Sequence, residues 1–400
     1  MSKTTRRLIF YALVLLFFIL GFIAVYYSTG WRLDFKNFKF EHVGAIYIQA
    51  HPSSANIYID NKLIDVKPSF FQSGIIINDL LPNSYNLKVT ADGYQTFSQE
   101  IAVAPFLVST LNDLILIPKT INYFSTSTVK DFWLIKDNLL IQNNKDYLFL
   151  NNIKISGQYL VGQLDNQKLL TENSNKDYFL INPSIPSSTI YLSNFAKNYL
   201  GTNKVQFFPD PQNNTLLTIS NQYIGWLNTD NWTFSPPLTI STSTAKLLKN
   251  SSQIIINSNT IYALLDGKLT AIDFSGNSLA ISTTSSPVNN FAVSLDNSKI
   301  ALLEKNQIEI LQTNNKDIIT IPLKADRVIW YNDNRHLFAI NNNLAYFLDI
   351  KNPQSTNYQL DVKSNKFEYD ANKNQLYFLC PANNSKNNQD QNICYLQFPD

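Results

Sequence analysis

Cys380 and Cys394 are the only cysteines in the chain. They bracket the polar run PANNSKNNQDQNI, with the apolar stretches QLYFL before it and YLQF after it. If those stretches pair as a hairpin, the thiols meet across it and a disulfide clamps the loop, a gain of roughly 3 kcal/mol by loop-closure entropy. An exported chain meets the oxidising conditions this needs; the alternative is two buried thiols. The histidines are His42, His51 and His336, and none stands at metal-ligand spacing from a Cys, Asp or Glu. No metal and no cofactor is therefore expected, and His336 reads as a solvated or half-buried residue at a strand start. Neither a Gly-x-Ser-x-Gly elbow nor a Gly-rich phosphate loop occurs. Asp210, Asp296 and Asp333 are carboxylates that a ring-shaped fold could bring together for hydrolysis. Each sits among Asn, Pro or Ser between two apolar runs, where Asp is a turn former. Trp226, Trp232, Trp330 and Tyr331, set among Asn and Asp, can stack on a sugar or anchor a peptide. The competing role for all four is packing between sheets.

Alternating strands must position these residues. Four stretches share one plan: VQFFPDPQNNTLLTI (205–219), FAVSLDNSKIALL (291–303), VIWYNDNRHLFAI (328–340) and FEYDANKNQLYFL (367–379). Each is an alternating strand, a polar turn with Asp or Asn, and a more apolar strand. The last three align without gaps, with starts 37 and 39 residues apart. The triplet Asn-Lys-Asp recurs at 144–146, 175–177 and 315–317, each time followed by a β-prone run. A period near 40 with three or four strands per unit is the signature of a propeller blade. One four-stranded sheet cannot bury both faces alone, and stacking blades around an axis does so. Residues 121–400 then divide into seven blades, or six, placed at 129–156, 158–193, 195–241, 244–283, 289–322, 325–361 and 363–398. A Greek-key sandwich array is the rival architecture. The strand, Asp turn and apolar strand of VSLDNSKIALL resemble TolB-type and tryptophan–aspartate propellers, with Asn297 in their Gly slot. That resemblance implies a fold and does not choose a function.

Ahead of the repeats, residues 1–7 are a basic tail and Leu8–Tyr27 is uncharged, LIFYALVLLFFILGFIAVYY. Twenty helical residues cover about 30 Å, the hydrocarbon thickness of a bilayer. Lys3, Arg6 and Arg7 precede the run, and Tyr26, Tyr27 and Trp31 border its far side. The positive-inside rule then places the tail in the cytoplasm and everything beyond outside. A cleaved signal peptide is the alternative, opposed by the length of the run and by bulky Val25, Tyr26 and Tyr27 where small residues would be cut. The expected localisation is the plasma membrane, single-pass, with the lipid bilayer contacted through Leu8–Tyr27. The net charge of +2 is supplied by the tail alone, which excludes a basic nucleic-acid-binding face.

After a spacer (28–43), residues 44–118 alternate cleanly. Ala55, Ile57 and Ile59 point one way, and Tyr85, Leu87 and Val89 repeat the pattern. IDNK (59–62) reads as a tight hairpin turn. The order Pro52-Ser53-Ser54-Ala55, Asp60-Asn61, Lys67-Pro68, Leu81-Pro82-x-x-Tyr85 and Gly93-Tyr94 resembles a PEGA domain, with Ser53 and Ser54 departing from the family's name motif. The resemblance implies a small cell-surface β-sandwich that binds or spaces and brings no catalytic residues.

The fold class expected is therefore all-β after one transmembrane helix: a small PEGA-like sandwich, then a six- or seven-bladed propeller. The function expected is a non-enzymatic, membrane-anchored extracytoplasmic scaffold of the cell envelope. It would present a propeller face to an envelope protein or surface polysaccharide. The alternatives are an envelope hydrolase of glycans or peptides with carboxylates at the propeller axis, and a purely structural spacer.

Overall fold

The computed structural model describes residues 3–34, 38–65, 74–124, 128–135, 138–202, 204–238, 240–257, 259–274, 278–281, 286–314, 317–352, 358–382 and 391–399. Its chain divides into two compact units, Met1–Thr120 with Phe398–Asp400, and Ile121–Gln397.

The first unit opens with helix α1 (Lys3–Ser28). Its segment Thr5–Ser28 is long and apolar enough to cross a membrane, and none of it is buried against protein. Strands β1 (Trp31–Asp34) and β2 (Lys39–His42) form a hairpin in the register Trp31↔His42. The strands that follow are β3 (Gly44–His51), β4 (Asn56–Ile59), β5 (Lys62–Leu63), β6 (Ile75–Leu80), β7 (Asn83–Thr90), β8 (Phe97–Val103) and β9 (Val108–Ile115). They make two sheets, β6-β3-β9 and β5-β4-β7-β8. Ile46, Ile48 and Leu111 are buried on the first, and Ile57, Leu87, Val89 and Phe97 on the second. On β4 and β7 the hidden residues alternate (Ile57 and Ile59, Leu87 and Val89), and the buried faces of the two sheets make a β-sandwich. Asp60 and Asn61 both take left-handed backbone (φ 48° and 64°), closing the two-residue hairpin loop between Ile59 and Lys62. Lys67 and Pro68 lie outside the described residues.

The second unit is a seven-bladed propeller. Each blade is a four-stranded antiparallel sheet. The first, innermost strands of blades 1 to 7 are Asp131–Ile135, Tyr159–Gln163, Gln206–Pro209, Gln253–Asn257, Asn290–Val293, Arg327–Trp330 and Phe367–Asp370. Apolar clusters fill the seams between successive blades: Leu140 with Leu169, Leu180 with Phe207, Leu217 with Ile261, Leu264 with Phe291, and Leu303 with Val328. Tyr331 stacks on Tyr369 between blades 6 and 7 (centroids 5.1 Å), and Phe132 packs with Leu379 and Ile393 between blades 1 and 7. The ring is thus closed by burial at every seam, as stacked sheets require.

Closure also uses the backbone. The last blade takes its outermost strand from Ile121–Tyr123, which pairs antiparallel with Gln391–Gln397 in the register Tyr123↔Cys394. The start of the propeller thereby locks onto its end, and no long strand edge is left open at the seam.

The recurring triplet is less regular than its letters. In the first two copies Asn143 and Asn173 each accept the N–H groups two and four residues on through their side-chain oxygens, at 2.9–3.0 Å. The left-handed residue is Asp146 in one and Lys176 in the other, so the triplets are one residue out of structural register. The third copy falls in a different hairpin, between the third and fourth strands of blade 5 (Ile308–Gln312 and Ile318–Ile321), and Asn315 and Lys316 lie outside the described residues. The element shared by the first two copies is the Asn that folds back on its own backbone.

Candidate functional site at the propeller axis

Because all seven inner strands run the same way, their first residues share one face of the ring, here the top face. Six of the inner strands begin with a polar or amphipathic side chain: Asp131, Tyr159, Gln206, Gln253, Asn290 and Arg327. Blade 7 carries Lys366 and Glu368 at the same level. Several of these side chains, and Gln142 beside Asp131, link successive blades. Gln142 Nε2 donates to the Gln158 carbonyl (3.0 Å), Gln253 Nε2 to Phe291 O (3.4 Å) and Asn290 Nδ2 to Asp326 O (3.2 Å). Arg327 donates to Phe367 O and to Glu368 Oε1, both at 3.1 Å, and Lys366 Nζ lies 3.4 Å from Asp131. In each of these rim bonds the earlier blade supplies the donor and the next blade the acceptor, with blade 7 passing to blade 1. Arg327, Glu368, Lys366 and Asp131 alternate in charge and so cancel over a few ångströms.

Below this rim lies a cavity of about 400 Å³, walled by the inner strands of blades 4 to 7. Ile255, Ala292 and Ile329 supply apolar wall, Asn257 and Tyr369 polar groups, and Arg327 the one charge on the lining. The volume falls within the range of small-ligand clefts, about 300–1,000 Å³, which are mostly apolar with a few directed polar groups. Burial, followed by the neighbouring Tyr331, raises the Tyr369 phenol far above its ordinary value, so it stays a neutral hydroxyl.

The aromatic candidates take other places. Trp330 and Tyr331 are buried, at 5% and 3% exposure, and Trp330 Nε1 donates to Ala292 O at 3.1 Å across the blade 5–6 seam. An exposed stacking platform at these two rings is therefore corrected to seam packing, with only an edge of Trp330 on the cavity wall. Trp226 is half-buried against Phe274 (4.7 Å between centroids), and Trp232 is half-buried edge-on to Phe195 (5.2 Å). Both belong to the inter-blade clusters, because a large ring at a seam removes more apolar area from water than one left outside.

The turn aspartates are dispersed around the ring rather than gathered. Asp210 and Asp296 accept hydrogen bonds within their own turns, from Gln212 N and Ser298 N at 3.0 Å each. Asp333 holds His336 Nδ1 at 2.5 Å and accepts from the backbone N–H groups of Arg335 and His336 at 2.8 Å each. Burial works to raise the Asp333 carboxyl, but the contact with the His336 ring and the bonds from the His336 and Arg335 backbone N–H groups together outweigh it and hold the group below its ordinary range. His336 does open a strand (His336–Asn341), but it is 3% exposed and lies parallel to Phe347 rather than solvated or half-buried. One carboxylate pair, Glu304 and Glu309, is bridged by Gln307 Nε2 at 3.0 and 2.9 Å. Burial, then the Glu304 charge, pushes Glu309 upward. Glu304 directly follows the second strand of blade 5 (Lys299–Leu303) and Glu309 lies on the third (Ile308–Gln312), so the pair is away from the inner strands. Among the described residues no group of three or more His, Cys, Asp or Glu is placed to hold a metal.

Cys380 and Cys394 form a disulfide, with Cα atoms 5.9 Å apart. They are diagonal rather than opposite: Cys394 pairs with Phe378, and Cys380 with Asn392.

The rim residues belong to no sequence motif. Their signal is a polar or amphipathic letter opening six of the seven inner strands, as in NFAV (290–293) and RVIW (327–330), visible once the blade phase is known.

The fold and the site together define an all-β chain with a seven-bladed propeller, a β-sandwich and one helix able to cross a membrane. No family model matches the chain, and no curated protein matches it. Similar solved structures include PorZ, described as an essential bacterial surface component of the type-IX secretion system of Porphyromonas gingivalis. The match has 10% identity, covers 64% of this chain and 36% of that one, and has a TM-score of 0.43. The β-propeller domain of Myceliophteria thermophila Cps50 (Swd1) matches at 11% identity over 70% of this chain and 99% of that one, TM-score 0.48. U3-55K matches at 6% identity over 70% and 98%, TM-score 0.46. None of these likenesses bears on what the chain binds.

Proposed function

We propose that the chain is a membrane-anchored binding scaffold of the cell envelope, without catalytic activity. Helix α1 crosses the plasma membrane with residues 1–7 in the cytoplasm, and the remainder is extracytoplasmic. The sandwich follows the PEGA plan, and the propeller presents its top face to an envelope protein or a surface polysaccharide. The observation that carries this reading is the axial cavity under its amide-rich rim. Asn and Gln both donate and accept, so Gln253 and Asn290 can pair with peptide groups or sugar hydroxyls. Arg327 is half satisfied by Glu368 and leaves further N–H groups for a partner's oxygen. The neutral balance of the rim favours a polar, uncharged partner over nucleic acid.

The test is recovery of crosslinked partner with the full chain from intact cells. Recovery with the wild type, and loss of at least about tenfold with N290A/R327Q at unchanged thermal stability, supports the reading; a tenfold loss corresponds to 1.4 kcal/mol. Equal recovery with both proteins contradicts it.

A further inference from the structure

The end of α1 is finished with polar groups. Ser28 Oγ and Thr29 Oγ1 donate to Val25 O (2.8 and 3.1 Å), Thr29 Oγ1 also to Tyr26 O (2.9 Å), and Arg32 Nη1 to Tyr27 O (2.7 Å). The last carbonyls of a helix leaving lipid must find such partners. The sandwich is tied to this point. Val43 N donates to Gly30 O at 3.0 Å, Phe106 N to Val43 O at 3.1 Å, and Ala45 N to Leu107 O at 3.0 Å. Arg32 Nη2 joins the hairpin to β6 through Asp79 at 2.7 Å. Gly44 allows the 104–107 loop to lie this close, since a Cβ there would meet Ala104 O at 2.4 Å.

Around this junction the surface is apolar where it faces outward. Phe38 is 81% exposed, Phe106 69% and Leu107 61%, with Phe40 and Val108 also exposed. Phe40 and Phe106 are joined by a continuous run of rings: Phe40 to Tyr26 at 5.5 Å, Tyr26 to Trp31 at 5.0 Å, then Trp31 to His42 and His42 to Phe106 at 3.7 Å each; Phe38 stands two residues from Phe40 on the hairpin, and Leu107 and Val108 directly follow Phe106. Isolated exposed apolar residues are ordinary, but a contiguous patch marks a surface with a partner. Within the described hairpin, Arg32 and Lys39 balance Asp34 and Glu41, so apolar insertion rather than charge would hold it.

We infer that the β1–β2 hairpin and the 104–108 loop form an aromatic collar inserted in the headgroup–acyl boundary of the bilayer, around the point where α1 emerges. The collar seats the sandwich on the membrane. Continuity with the helix identifies the occupant as lipid, and aromatic side chains at this level match the amphipathic interface. The inference rests on the anchor reading above.

The experiment uses the full chain in phosphatidylcholine vesicles, with an environment-sensitive fluorophore on F38C, L107C, I19C or K88C, one at a time. The native cysteines are already paired and do not react. Doxyl-labelled phosphatidylcholine should quench positions 38 and 107 at least about twofold, quench 19 strongly and leave 88 unchanged, without dependence on salt. Quenching at 19 but not at 38 and 107 overturns the collar and leaves the anchor standing. A blue-shifted but unquenched fluorophore at 38 and 107 also overturns it, in favour of a protein cover such as a second copy. No quenching at 19 removes the anchor itself, and the collar with it.

Discussion

Arg335 and Asp349 form a two-pronged ion pair inside blade 6, with Nε donating to Oδ1 at 2.9 Å and Nη2 to Oδ2 at 2.5 Å. Their side chains are 10% and 4% exposed, so neither charge has water to fall back on. Breaking such a pair strands the other charge, at about 3–5 kcal/mol. D349A should lower the denaturant midpoint accordingly, whereas R335M/D349L should recover most of the loss. If the double variant unfolds as readily as the single one, the pair is not the source of the effect.

Asp333 gives that blade an acid-sensitive element. Its folded pKa lies below the ordinary 3.8, so its stabilisation is present above that value and fades as pH falls through the folded pKa. The melting-temperature gap between wild type and D333N should therefore be widest near about pH 6 and shrink by about pH 3. A gap that widens toward acid would give the wrong sign.

The disulfide braces the blade that closes the ring. Its two half-cystines are 14 residues apart, and loop-closure entropy assigns such a link about 3 kcal/mol. C380S/C394S should lose about that much in chemical unfolding, without losing the β signature in circular dichroism. Equal stability of the two proteins would show that pairing of Ile121–Tyr123 with Gln391–Gln397 suffices to hold the seam.

Asn342 and Asn343 form a two-residue hairpin loop with φ of 49° and 67°. Asn tolerates this left-handed backbone and a β-branched residue does not. N343V should cost about 1–2 kcal/mol, and N343G should be neutral or stabilising by a few tenths. Equal effects of Val and Gly would show that backbone conformation is not what matters there.

These turns show why so much of the fold was legible. Asn in a glycine slot, as at Asn297 (φ 62°), and alternation on either side are local rules, so the blade phase could be read from FAVSLDNSKIALL and VIWYNDNRHLFAI. The outermost strand of the last blade was not, because its partners lie some 270 residues apart in sequence and Ile121–Tyr123 carries only three residues of pattern. The helices Leu192–Leu200 and Thr242–Asn250 were hidden for a similar reason, being short and lying between blades. Burial at a seam is a tertiary property, and nothing local distinguishes Trp330 in a core from Trp330 on a surface. The burial of His336 was hidden on the same account: its partners Asp333 and Phe347 make burial tolerable only once blade 6 is folded. The rim required the ring itself, since a polar first residue means little until six of them meet on one face.

The central claim is that the top rim of the propeller meets a partner in the envelope. Photo-crosslinking amino acids placed singly at Gln253 and Asn290 on the rim, and at Gln212 and Asn372 in turns of the opposite face, test it most directly in intact cells. Discrete, ultraviolet-dependent adducts from the two rim positions and none from the opposite turns are expected. Adducts from the opposite turns alone, or from none of the four positions, would contradict the account.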